Sequence, residues 1–145
     1  MTSGAGNGRH DAASPVAARP SRGPLLIFDG DCRWCSAAAG YAARHLHHGE
    51  RVVAWQSLGA RGLSAVGLSR EDASVAAWWV DGPESRHRGH KAVGKALVAT
   101  GGWRRCAGAL ALVPPTSWIA AGAYRVIVRT RSRLPGGTPA CRAGR

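Results

Sequence analysis

The residues best able to do chemistry in this chain are the two thiols of Cys32-Arg33-Trp34-Cys35. They follow the apolar run Leu25-Leu26-Ile27-Phe28 and open an alanine-rich stretch. The spacing therefore predicts a C-x-x-C at the first turn of a helix that succeeds a buried strand. A helix start presents unpaired backbone N–H groups and the positive end of the dipole, and both favour a thiolate. Thiols so placed have pKa values of roughly 3.5 to 7.5 against about 8.5 for a free one. The Arg33 cation acts in the same direction. Cys32 is thus expected to be an exposed nucleophile. Cys35 lies on the same helical face one turn on, is expected to be more buried, and resolves the mixed disulfide. Arg33 and Trp34, between the cysteines, are the expected lining of a substrate groove.

Two carboxylates flank Gly30, at Asp29 and Asp31. Beside Cys32 they favour the protonated thiol and oppose the helix and Arg33. Asp29, at the end of the strand, is the better situated to accept a proton from the resolving thiol, whereas Asp31 reads as the N-cap of the helix. A turn acid and a cap without chemical roles explain the pair equally well.

The elements that must carry these residues follow from the chain's punctuation. Leu25–Phe28 reads as a strand buried on both faces and therefore mid-sheet. The helix after it runs through His45, His47 and His48, which suit the negative end of the dipole, to a stop at Gly49. Residues 51–56 form a second strand, parallel to the first because a helical crossover joins them. A weak helix over 58–68, interrupted by Gly59, Gly62 and Gly67, precedes a third strand over 74–80. Asp81-Gly82-Pro83 turns the chain into a polar edge strand over 84–90, antiparallel to the third. Three helices follow, over 91–100, 103–113 and 116–133, separated by Gly101-Gly102 and Pro114-Pro115. In the last of these Ser117, Ala121, Arg125, Arg129 and Arg133 share one face, expected to be solvated, while Ile119, Ala123, Val126 and Ile127 form a stripe expected to pack on the core. The outcome is a mixed four-stranded sheet with flanking helices and a C-terminal helical extension.

Phe28-Asp29-Gly30-Asp31-Cys32-Arg33-Trp34-Cys35 resembles the signature of the DCC family of thiol-disulfide oxidoreductases, named for its Asp-Cys-x-x-Cys. Gly89-His90-Lys91-Ala92-Val93 with Gly101-Gly102-Trp103, Val113-Pro114, and Tyr124-Arg125 with Arg129 and Arg131 are similar to further parts of the family's pattern. The likeness spans about Leu25 to Cys141. It implies a thioredoxin-like fold and disulfide exchange with protein or small-molecule thiols, with no bound cofactor and no metal.

Composition bounds the remainder. A chain of 145 residues, 45% of them hydrophobic, suits one domain with a core. Residues 1–23 and 135–145 are small, polar and rich in Pro and Gly, and are expected to be disordered tails around a folded unit over 24–134. No export signal or continuous apolar span is visible, so a cytoplasmic protein without an integral membrane segment is expected. Four cysteines are too few for a disulfide-stapled scaffold, and in a reducing cytosol they point to redox or metal chemistry. The net charge of +12 predicts weak, non-specific association with polyanions. All the basic residues except Lys91 and Lys95 are arginine, as a GC-rich genome would produce without selection for binding.

Three other readings compete. A zinc site would add ligands from His45, His47, His48, Cys106 or Cys141 to the C-x-x-C, but the spacing is poor. A phosphotransferase built on Asp29 and Asp31 would need Glu71, Asp72 or Asp81 for magnesium and Lys91 for phosphate. A non-enzymatic basic protein would dock a polyanion or membrane with its last helix and keep both cysteines buried. Cys106 is expected in the core, Cys141 to be incidental, and the tryptophans other than Trp34 to be mostly core.

Overall fold

Residues 23–82 and 84–130 are described by the computed structural model. The tails expected at the two ends lie almost entirely outside these residues. Strand β1 (Leu25–Phe28) occupies the inside of a sheet ordered β2-β1-β3-β4. It pairs parallel with β2 (Arg51–Ala54) and antiparallel with β3 (Trp78–Val80), which in turn pairs antiparallel with β4 (Arg86–Arg88). The apolar run makes this strand central because both of its faces are covered. Leu25 and Ile27, with Val80, pack on Leu63, Leu68 and Ala73 from α2 (Trp55–Ala65), the following turn and α3 (Arg70–Val75). Leu26 and Trp79 point the other way, onto Leu46 and onto Ala92 and Ala96 of α4 (His90–Ala99), with Ala42 of α1 (Arg33–His45) beside them. This mixed sheet with helices on both faces is consistent with the thioredoxin-like α/β fold expected.

Several boundaries differ from the reading of the residues, each for a local reason. The third strand starts at Trp78 rather than at residue 74 because Ser69 caps a short helix there. Its hydroxyl accepts the Asp72 N–H at 3.0 Å, and the Asp72 carboxylate accepts the Ser69 N–H at 3.2 Å. The Ser69 hydroxyl also donates to the Asp72 carboxylate at 2.6 Å, and this bond, with the one from the Ser69 N–H, holds the Asp72 carboxyl below its ordinary value. Helix α2 begins at Trp55 and bends at Gly59, whose φ of 62° lies in the left-handed region that glycine tolerates. Helix α1 ends at His45, not His48, because Leu46 leaves the helix and turns into the core.

The C-terminal extension consists of α5 (Gly102–Leu112) and α6 (Thr116–Thr130). Helix α5 lies against α4 at two glycines, and a Cβ built on Gly108 would stand 2.6 Å from the Gly94 carbonyl oxygen and 2.7 Å from the Val98 nitrogen. The expectation that the stripe of α6 packs on the core is corrected. Ile119 and Val126 are exposed, and the buried residue of this helix is Ser117. Cys106 is exposed rather than in the core, as are Trp103 and Trp118. A helical period defines an apolar stripe, but it does not say whether a domain has surface left to cover it.

Candidate active site

The turn between β1 and α1 is tied down by its own backbone and by one glutamine. The Cys32 N–H donates to the Asp29 carbonyl at 3.3 Å, and the Asp31 N–H donates to Asp29 Oδ1 at 3.1 Å. Gln56, in the first turn of α2, donates through Nε2 to Asp29 Oδ1 at 2.9 Å and accepts the Gly30 N–H on Oε1 at 3.0 Å. Gly30 is needed for this fit, because a Cβ there would lie 2.9 Å from Ala54 Cβ and 3.0 Å from Gln56 Oε1. Ser36 closes the turn from the helix side, its hydroxyl donating to the Gly30 carbonyl at 3.2 Å.

Helix α1 is capped by Cys32, not by Asp31 as the residues suggested. Cys32 has extended backbone angles, and its Sγ accepts the Cys35 N–H at 3.4 Å. A thiol therefore holds the position where Ser, Asp or Asn usually satisfies a free helix donor, and negative charge on that sulfur gains from the donor and from the dipole. The expected order of exposure is reversed. Cys32 is 0% exposed, whereas Cys35 is half-buried. Capping turns the first sulfur inward over the helix end, while the residue one turn later faces outward.

The face that Cys35 meets is an apolar cleft of about 520 Å³, within the range of small-molecule sites. Asp29 and Trp34 line it beside Cys35, with Tyr41 further along α1. His90 of α4 and Tyr124 of α6 form part of the opposite side. Arg33 and Asp31 are exposed and are not among the lining residues, so the groove expected around Arg33 and Trp34 is formed by Trp34 without Arg33.

The model of the DCC1-like thiol-disulfide oxidoreductase family matches residues 26–137. The chain belongs to this family. No curated protein and no solved structure matches it. Membership of the DCC1-like family supports a redox enzyme at family level and implies thiols or disulfides as substrates.

Two of the three acids that a magnesium site would draw on are engaged elsewhere. Asp72 caps α3, and Asp81 accepts the Trp79 indole N–H at 2.6 Å and pairs with Lys95 at 3.4 Å and His87 at 3.3 Å. Among the described residues no group of three or more His, Cys, Asp and Glu could hold a metal ion, and Cys141 lies outside them.

Two residues of the candidate site carried no functional signal in the sequence. Tyr124 was legible only as part of a Tyr-Arg pattern. Its hydroxyl accepts the Ala77 N–H at 3.2 Å, immediately before β3, and its ring lies against Gly89. It thereby fastens α6 across the cleft to the strand. Gln56 carried no local signal, since glutamine at the start of a helix is ordinary and its partners are 26 and 27 residues away. Gln56→Ala is expected to cost about 1–2 kcal/mol in a denaturant titration, from a donor and an acceptor left without their partner. It should also raise the alkylation rate of Cys32 by loosening the turn. An unchanged midpoint and rate would show that the glutamine holds nothing.

Proposed function

We propose that this protein is a thiol-disulfide oxidoreductase working through Cys32 and Cys35, and that its substrates carry a disulfide flanked by apolar groups. The observation that carries the reading is the pairing of a helix-capping thiol at Cys32 with a second thiol, Cys35, open to an apolar cleft. Burial of Cys32 alone would suit a structural cysteine. A partner thiol one turn away and open to a cleft, in a chain of the DCC1-like family, favours redox chemistry.

Access and thiolate stabilisation are divided between the two sulfurs, and this sets the order of attack. The Cys35 thiolate attacks the substrate disulfide, forming a Cys35–substrate bond and releasing one substrate thiolate. Cys32, stabilised as thiolate by the Cys35 N–H and the helix end, then attacks Cys35 Sγ. The Cys32–Cys35 disulfide forms and the second substrate thiolate leaves. Two electrons pass from the dithiol to the substrate, and the two cysteine protons end on the two released thiols. Asp29, on the cleft wall beside Cys35, is the carboxylate through which we route the Cys35 proton. This order departs from the first expectation, in which Cys32 attacks and Cys35 resolves. We further propose that it operates in the cytoplasm, where thiols stay reduced.

The test is a redox titration of the whole protein against glutathione, reading thiol state by mass. The expected result is a reversible loss of two protons' mass confined to Cys32 and Cys35. Failure to form that disulfide across the glutathione range would sink the proposal.

A further inference from the structure

From the chemistry of its exposed C-terminal helices we infer that the protein docks on an anionic lipid bilayer, inserting the apolar corner between α5 and α6 and holding lipid headgroups in the adjacent basic cleft. The corner is formed where the two helices meet at 96°. Within one turn of it Leu110, Val113, Trp118 and Ile119 are all solvent-exposed, at 61%, 56%, 73% and 72%. Isolated exposed apolar residues are ordinary, but four large ones within one turn of a single interhelical corner mark an interaction surface.

Charge identifies what that surface meets. The eight acidic residues all lie at or before Glu84, balanced there by eight arginines, so the whole surplus of +12 belongs to residues 85–145. At the basic end of α6 a cleft of about 660 Å³ is lined by Arg86, Arg88, Lys91, Arg125 and Arg129 and by no acidic residue. Lys91, Arg125 and Arg129 are exposed and form no ion pair among the described residues. His90, at the same cleft, is held below its ordinary pKa by burial and then by the charges of Lys91 and Arg125.

The spacing suits an interface. Six residues of helix separate Ile119 from Arg125 and eight separate Arg105 from Val113, about 9 and 12 Å at 1.5 Å per residue. Because the helices are bent 96° from one another, each leans by roughly half a right angle when the corner points inward, and the arginines then stand about 6–9 Å above it, within the roughly 5–10 Å to which interfacial elements sink. Exposed Trp118, at the corner itself, is of the type enriched at membrane interfaces. Among the described residues no single helix is long and apolar enough to cross a membrane, and Gly108 and Ser117 keep both helices seated on the domain. A nucleic acid would leave the apolar corner without a partner. A second copy would bring two such basic surfaces together.

The experiment is flotation of the full chain with vesicles of phosphatidylcholine alone and of phosphatidylcholine mixed with phosphatidylglycerol, at low and moderate salt. Wild type should float with the anionic vesicles and far less with the neutral ones. Trp118→Ser/Ile119→Ser and Arg125→Glu/Arg129→Glu should each lower the partition coefficient at least about tenfold. Leu110→Ser, at a third exposed position, repeats the apolar arm should the first pair fail to fold. Three results would overturn the inference: no flotation with anionic vesicles, apolar variants that bind as tightly as wild type, or a wild-type dimer that the apolar variants dissolve without any vesicle binding. The second result would mean bare polyanion attraction, and the third a second copy as the true occupant.

Discussion

Cys32→Ser is expected to accumulate a mixed disulfide between Cys35 and substrate and to complete no turnover. Cys35→Ser is expected to trap nothing, because the remaining sulfur is buried. In a disulfide-reduction assay each variant should fall by roughly 10³-fold or more, since the two thiols act as one chemical unit and losing either stops the cycle. Mass spectrometry of the trapped species decides the order of attack. An adduct on Cys35 in the Cys32→Ser protein supports the cleft-facing thiol as the attacking group. An adduct on Cys32 in the Cys35→Ser protein would restore Cys32 as the nucleophile and require the helix end to open during catalysis. Full activity in either variant would remove the C-x-x-C from the mechanism altogether. Fold loss does not mimic the expected pattern, because an unfolded Cys32→Ser chain would expose Cys35 without a cleft and show no preference for apolar disulfides.

The largest stability effect is expected at Gly108, where α5 crosses α4. A methyl group there would meet the Gly94 carbonyl oxygen at 2.6 Å, the Val98 nitrogen at 2.7 Å and Leu97 Cβ at 2.9 Å. Two of these neighbours are backbone, so relief requires the helices to move apart rather than a side chain to swing. Gly108→Ala should therefore cost about 3 kcal/mol, at the upper part of the range for overpacking, and lower the melting temperature by roughly 10–20 °C. Gly122→Ala is the matched control. Nothing lies within 4 Å of its Cβ position, and it sits inside α6. There the same substitution should stabilise by about 0.5–1 kcal/mol through helix propensity. Equal effects at the two sites would mean that α5 does not pack through Gly108. Since Leu97 and Ala111 on these helices both line the apolar cleft, Gly108→Ala should also change the affinity for apolar disulfides.

What the residues determined by themselves was the strand, turn and helix that carry the thiols. Four consecutive apolar side chains at 25–28 have to be covered on both sides, which makes the strand central. Gly30 and the two acids compel a turn, and alanines continue it as a helix, so the C-x-x-C comes to the helix start whatever the remaining chain does. The parallel pairing of β2 and the antiparallel edge at β4 followed from connection lengths for the same reason. The capping box at Ser69 and Asp72 was equally legible, and β-propensity in Ser74-Val75 masked it.

The tertiary structure alone decided which thiol is accessible, which residues hold the turn, and which helix faces are covered. Exposure of a cysteine depends on what packs over the helix end, and the capping bond from the Cys35 N–H to Cys32 draws that sulfur inward. Gln56 and Tyr124 act across 26 to 47 residues of chain, a separation at which no local pattern signals a partner. The apolar stripe of α6 looked like core because periodicity records amphipathicity and says nothing of what the other side meets. With α1, α4 and α5 already covering that side of the domain, Trp118 and Ile119 are left facing outward, beside arginines that the sequence supplied without indicating their use.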